Sequence, residues 1–248
     1  MKNFATIDFY FGLLCNDDEM KKPTEFIYDL VFPKKCAGCQ AEGPWLCPEC
    51  FEKIIIVKAA FCPFCQRITP QGQYCSRCRP RFNLTGVIIA AHYENPLKEA
   101  IHKYKYDRIR ELAEPLSELL VMRLEAGFPT GNLVLIPVPL TKERERERGF
   151  NQAEVLAKKL SQAFDLSLVT NVLRRTKNRP AQITLTGRER RENIKGVFEV
   201  KGDLVKIKGK TILLLDDVMT TGATLNEAAG VLKKAGARNI WGLVLAKG

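Results

Sequence analysis

Histidine is nearly absent from this 248-residue chain: it has two, His92 and His102, and neither stands beside a nucleophile or a second ligand-type residue. Both histidines therefore read as structural or surface residues. Long hydrophobic runs are also missing. The longest candidates are broken by Lys58, Pro137 or Asp216, well short of the roughly 18–20 apolar residues a bilayer span needs. The phosphate loop GxxxxGK[ST] does not occur, and no GxGxxG follows an apolar strand, so nucleotide hydrolysis and dinucleotide binding lose their usual anion cradles.

Acidic charge is in short supply. Lys and Arg number 39 against 28 Asp and Glu, a net charge of +11, which favours polyanions or phosphorylated small molecules as partners. The excess is unevenly spread: 11 basic and 9 acidic residues fall in the first 85 positions, and 28 and 19 in the rest. Near the N-terminus, Asp8, Asp17, Asp18 and Glu19 surround the short apolar stretch Phe9 to Leu14, without a basic leader or a small-residue cleavage site. That composition points to a cytoplasmic protein. The hydrophobic fraction of 46% and charged fraction of 27% are those of a globular chain, and the length fits one large α/β domain with a small appendage.

Cysteine is what the small part has in plenty. Eight of the nine form four CxxC pairs, Cys36/Cys39, Cys47/Cys50, Cys62/Cys65 and Cys75/Cys78, separated by 7, 11 and 9 residues. Each pair can present two thiolates to a tetrahedral metal, so four pairs supply two structural zinc ions. Residues 33–81 hold few large apolar side chains, and metal binding would contribute the folding free energy they lack. A disulfide framework needs an oxidising compartment, and a thioredoxin-like role needs one pair opening a helix in a βαβ unit; neither suits four pairs in 43 residues. Neighbouring pairs sharing a metal is the favoured arrangement, with a cross-brace of alternate pairs left open. Two tetrathiolate sites at a formal charge of about −2 each would turn the +2 of the first 85 residues into about −2, which leaves Arg67, Arg77, Arg79 and Arg81 as either a local basic patch or solvated loop residues. Cys15 stands apart as an ordinary small hydrophobe.

Beyond Phe82 apolar strands alternate with amphipathic helices. Strands are expected at Gly86 to His92, Leu133 to Val138, Thr211 to Leu215 and Ile240 to Leu245, and helices at Leu97 to Tyr106, Arg110 to Glu125, Gln152 to Phe164 and Leu225 to Ala235. The order predicts a parallel sheet flanked by helices. Ligands bind such sheets at the carboxyl ends of the strands. After the strand TILLL come the acids Asp216 and Asp217, and then Thr220, Thr221, Gly222, Ala223 and Thr224 leading into a helix. Small and hydroxyl residues at a helix start let backbone N–H groups converge on a phosphate, while the acids suit sugar hydroxyls or magnesium. A phosphorylated sugar fits the whole. After the strand LVLIPV, Arg144, Arg146 and Arg148 alternate with Glu143, Glu145 and Glu147, and the first and last of these arginines can share one face of a turn or helix. Residues 174–195, with 8 basic and 2 acidic residues, read as a cationic flap.

The run ILLLDDVMTTGATL resembles the phosphoribosyl pyrophosphate (PRPP) signature of type I phosphoribosyltransferases. The fuller series FPKKCAGC, LCPEC, CPFC, IPVPL, RGFNQA, GRERRENIKGVF and LLLDDVMTTGAT resembles the ComF family of competence-associated proteins, from about Phe32 to the end. That resemblance implies an N-terminal extension over 1–31, a double zinc ribbon over 32–84 and a phosphoribosyltransferase-like domain over 85–248. It further implies that Asp216 and Asp217 meet the ribose hydroxyls of PRPP, directly or through magnesium, and that Thr220 to Thr224 hold the 5-phosphate. Arg144 or Arg148 would meet the pyrophosphate, and Arg188 would lie in the flexible loop. The family is linked to DNA uptake and natural transformation, so single-stranded DNA is an expected partner, with Phe82, Tyr104, Tyr106 and Phe150 available to stack on bases. Two alternatives stay open: a salvage-type phosphoribosyltransferase acting on a small base, and a zinc-ribbon adaptor for a protein of the uptake machinery.

Overall fold

The structure is a computed structural model, which describes residues 33–127, 132–176 and 196–248. Its centre is a five-stranded sheet in the order β1-β7-β6-β2-β3, with every pairing parallel. The strands are β1 (Gly86–His92), β2 (Leu133–Pro137), β3 (Ser167–Leu168), β6 (Thr211–Met219) and β7 (Asn239–Lys247). A separate antiparallel hairpin joins β4 (Leu173–Arg175) to β5 (Phe198–Val200). The helices are α1 (Pro48–Glu52), α2 (Leu97–Tyr106), α3 (Ala113–Glu125), α4 (Lys142–Arg148), α5 (Gln152–Phe164) and α6 (Ala223–Lys234).

The continuous apolar runs of the central strands follow from burial on both faces. Along β6, Leu213 and Leu215 join a core with Leu135, Leu243 and Leu245 beneath α2, α3 and α5, while Ile212 and Leu214 join a second core with Ile136, Ile240 and Val244 beneath α6. The period of two in a strand sends neighbours to opposite faces, so TILLL feeds two cores at once. From α3, Leu116, Leu119 and Leu120 pack into the first core with Leu156 and Leu160 of α5. From α6, Leu225, Ala228, Ala229 and Leu232 pack into the second, as helical spacing dictates.

The cysteine-rich part is not a loose appendage. Its first half contributes Cys36, Ala37, Leu46, Cys50 and Ile54 to the first core, and its second half contributes Val57, Cys62, Tyr74, Cys75, Cys78 and Leu84 to the other. The connecting segment runs along the free edge of β1. Ile56 bridges Ala91, Val57 N–H donates to Ala90 O at 2.9 Å, and His92 N–H donates to Ile55 O at 2.9 Å. An edge strand with unpaired backbone groups is a template for aggregation, and here it is covered by the chain's own N-terminal part. The fit is close: at Gly72 an added Cβ would lie 2.4 Å from Val87 O.

Several boundaries differ from the sequence expectations. β6 runs on through Asp216 and Asp217 to Met219, because Asp216 and Val218 keep their register against Val244 and Ala246 of β7. The acids are thus in the strand and not in the loop after it. The stretch expected as one helix from Arg110 begins with a 3-10 turn, Arg110–Leu112, before α3. Arg174 and Arg175, expected as the start of a cationic flap, are strand residues of β4. Residues 177–195 of that segment, with Arg188, lie outside the described residues, as does Cys15.

Candidate ligand site and metal centres

The sheet order creates a crevice. From β2 the chain proceeds through α5 to β3 on one side, and from β6 it proceeds through α6 to β7 on the other. Connections that diverge from adjacent parallel strands leave an open space at their carboxyl ends. The two segments singled out from sequence, the turn after β6 and α4 after β2, border that space.

On the β6 side, Gly222 adopts φ +74°, in the left-handed region, and starts α6. Glycine meets no Cβ penalty there, and an added Cβ would lie 3.2 Å from Met219 Sδ. Thr221 Oγ1 accepts from Ala223 N–H at 3.4 Å. Thr220 is exposed, and Thr221, Ala223 and Thr224 are half-buried, so the turn is accessible. The N–H groups of the first helical turn are free of intrahelical partners by geometry and carry the positive end of the helix dipole.

On the β2 side, the alternating Glu/Arg run forms α4. Thr141 caps it, accepting from Arg144 N–H at 3.4 Å, and Gly149 ends it at φ +79°. Arg144 and Arg148 are half-buried, whereas Arg146 and the three glutamates are exposed. Spacing of four places the two inward arginines on one face. The sequence RGFNQ has a local explanation. Gly149 makes the turn, Asn151 Oδ1 accepts from Ala153 N–H at 3.1 Å to cap α5, and Asn151 Nδ2 donates to Val138 O at 3.2 Å. Arg148 Nη1 donates to Gln152 Oε1 at 3.1 Å.

Asp216 and Asp217 sit between these two walls. Asp217 is buried and forms an ion pair with Lys105 of α2 at 2.7 Å; its Oδ1 also accepts from Val218 N–H at 2.6 Å. Asp216 keeps part of its surface in contact with solvent, but its carboxyl has little water around it. Desolvation first, and the neighbouring Asp217 second, push it up to about 7, against the attraction of Lys105 and Arg175. Arg175 stacks 5.5 Å from the centre of the Phe198 ring. Burial holds its guanidinium below the ordinary value, with the charges of Arg144, Asp216 and Arg148 also acting on it. Its Nε is buried without a hydrogen-bond partner among the described residues, as is Gln152 Nε2.

Sequence reasoning did not single out Lys105 or Arg175 for this site. Lys105 falls within the helix expected at Leu97 to Tyr106, and nothing in that spacing shows that α2 returns to β6 beside Asp217. Among the proposed stacking residues, Tyr104 is buried, with its hydroxyl donating to Gln152 O at 3.0 Å and its ring 5.2 Å from that of Phe150. It is a core residue, which removes it from the surface. Phe82 stacks on Tyr74 at 4.1 Å. Tyr106 remains 60% exposed, with Arg148 5.4 Å above its ring.

The eight paired cysteines form two groups, Cys36, Cys39, Cys47 and Cys50, and Cys62, Cys65, Cys75 and Cys78, each with all Sγ atoms within 4.8 Å of one another. This is the sequential pairing. Tetrahedral zinc with bonds of about 2.3 Å sets its sulfurs roughly 3.8 Å apart, and Cys39 and Cys47 lie at 3.8 Å, Cys65 and Cys75 at 3.6 Å. Cys47 N–H also points at Cys36 Sγ, at 3.3 Å, as is usual where backbone donors stabilise a thiolate. Both groups therefore fit a structural zinc ion.

The comparisons agree with this architecture. The family model for the phosphoribosyl transferase domain matches residues 147–247, and that for the double zinc ribbon domain matches residues 27–79. Competence protein F of Haemophilus influenzae is 30% identical over 221 residues, covering 81% of this chain and 96% of that protein. DNA utilization protein YhgH of Escherichia coli O157:H7 is 31% identical over 85% of this chain and 96% of its own length. Competence protein ComFC of Bacillus subtilis is 28% identical over 77% and 79%. The chain belongs to the ComF family of competence-associated proteins, which join a double zinc ribbon to a phosphoribosyltransferase fold.

Proposed function

We propose that the chain is a cytoplasmic PRPP-binding protein of DNA uptake, which handles incoming single-stranded DNA or links it to nucleotide metabolism. The observation that carries this reading is the crevice itself. Two carboxylates lie near the end of β6, a glycine-started helix N-terminus follows five residues after the second of them, and Arg144, Arg148 and Arg175 gather opposite. In this reading Asp216 and Asp217 engage the ribose hydroxyls, with magnesium accompanying the ligand. Thr220, Thr221, Gly222, Ala223 and Thr224 enclose the 5-phosphate, and Arg144 and Arg148 meet the pyrophosphate. The names of the relatives, competence protein and DNA utilization protein, supply the biological setting.

Transfer from PRPP needs no covalent help from a side chain. The bond from C1 of the ribose to pyrophosphate oxygen breaks, the oxygen keeps the electron pair, a nitrogen lone pair of the acceptor forms the new bond to C1, and that nitrogen gives up its proton to solvent or to the departing pyrophosphate. Cations fixed near the leaving oxygens stabilise the charge that develops, and the two acids and the phosphate loop hold the sugar in place. For DNA, Tyr106 offers an exposed ring beside Arg148, with Lys103 and Arg108 near it in sequence, a combination suited to stacking and phosphate contact. Pyrophosphate release from PRPP, measured with free bases and with single-stranded DNA, tests the reading. Release stimulated by either acceptor supports transfer. Absence of release together with absence of PRPP binding overturns it.

A further inference from the structure

Lys105 is the least expected member of the site. It lies in the last turn of α2, and its partner Asp217 is one of the two acids given to the ribose. The pair is enclosed without being sealed, with side chains 15% and 12% exposed. A ligand whose hydroxyls bind Asp217 must therefore displace an ammonium group already there. A hydroxyl is a neutral donor and cannot replace the positive charge alone, so the displaced ammonium needs a new anion within its reach.

We infer that Lys105 is an exchangeable cation of the ligand site, which neutralises Asp217 when no ligand is bound and moves to a pyrophosphate oxygen when PRPP arrives. The inference rests on the PRPP reading above and adds a residue and a sequence of events to it. The surrounding frame holds the helix while leaving the side chain free. Tyr104, the preceding residue, is fixed in the core by its bond to Gln152 O and its contact with Phe150. Arg108, two residues beyond the helix, donates from Nε and Nη2 to Glu147 O at 3.0 and 2.7 Å, tying α2 to the end of α4. Lys105, paired with Asp217, and Arg148, over the Tyr106 ring, are thereby carried on one braced unit. Lysine suits exchange better than arginine does: its ammonium is a compact point charge on a flexible stem, with no planar fork to lock onto one carboxylate. Arg175, half-buried against the Phe198 ring and with no hydrogen-bond partner for its Nε among the described residues, is the fixed counterpart.

Calorimetric titration of the zinc-loaded protein with PRPP and with ribose 5-phosphate, both with magnesium, tests the exchange in wild type, Lys105→Met and Lys105→Arg. Ribose 5-phosphate carries the hydroxyls and the 5-phosphate without the pyrophosphate. The exchange predicts opposite responses in Lys105→Met. PRPP affinity falls about 10- to 100-fold, the usual worth of a charge-assisted contact, whereas ribose 5-phosphate affinity stays the same or rises because Asp217 is already free. Lys105→Arg, which keeps the charge, retains PRPP binding within about tenfold and serves if the Met variant fails to fold. Equal weakening of both ligands in Lys105→Met, or unchanged PRPP affinity, overturns the exchange and leaves the PRPP site standing. Failure of wild type to bind PRPP at all removes both.

Discussion

Asn83, at the junction after the second cysteine group, clasps Asn226 in the first turn of α6. Its backbone N–H donates to Asn226 Oδ1 at 2.7 Å and its Nδ2 donates to Asn226 O at 3.2 Å. Two further contacts join the same parts: Lys247 Nζ at the end of β7 donates to Pro63 O at 3.0 Å, and the Tyr74 hydroxyl lies beside Gly222. The cysteine-rich part thus braces the helix whose N-terminus holds the 5-phosphate in the proposed PRPP reading. Asn226→Ala removes one acceptor and leaves the Asn83 N–H without it, which costs about 1–2 kcal/mol of stability. Chemical denaturation checks the stability, and PRPP titration is expected to show weaker binding at a concentration where the variant is fully folded.

Zinc content follows from the two four-cysteine groups. Metal analysis of wild type should find two zinc ions per chain, and Cys39→Ser or Cys65→Ser should each lose one. Because both groups share core residues with the sheet, chelation is expected to lower the melting temperature of the whole chain. An independent low-temperature transition for the cysteine-rich part alone would contradict that coupling.

Gly222→Ala forces a Cβ into a left-handed backbone position and towards Met219 Sδ. The conformational cost is about 1–2 kcal/mol, and PRPP binding should weaken more than overall stability does, since the distortion is centred on the turn. Gly209→Ala makes a suitable control: its φ is +71°, with nothing within 4 Å of the added atom.

Asp216 gives folding a pH dependence of predictable sign. Its carboxyl is raised to about 7 from an ordinary value of 3.8, with Asp217, Lys105 and Arg175 as the charges acting on it. Between roughly pH 4 and 7 the folded chain holds a proton that the unfolded chain has lost, so this group's contribution to stability falls as pH rises through that window and is level above it. Denaturation of the ligand-free protein at pH 5, 6, 7 and 8 should show the decline, and Asp216→Asn should flatten it.

The sequence made the layered α/β fold legible because its strands are short apolar runs and its helices have regular spacing: TILLL is recognisable as a strand buried on both faces without any other information. The metal ligands were legible because CxxC spacing is local. Lys105 and Arg175 were not, since their place depends on where α2 and the β4-β5 hairpin return to the sheet, a tertiary relationship that no local pattern encodes. Tyr104 misled for the same reason, alternating with lysines like a surface residue while the packing of α2 on α5 turned it inward. The extension of β6 through its two acids reflects pairing with β7, which overrides the low strand preference of aspartate.

The PRPP pocket is the central claim, and calorimetric titration of the zinc-loaded protein with PRPP and magnesium at fixed moderate salt tests it most directly, for wild type and Asp217→Asn. The account predicts saturable one-site binding by wild type and at least about tenfold weaker binding by the variant, the loss expected when a charged acceptor becomes neutral. Equal binding by both proteins, or no binding by wild type, would contradict it.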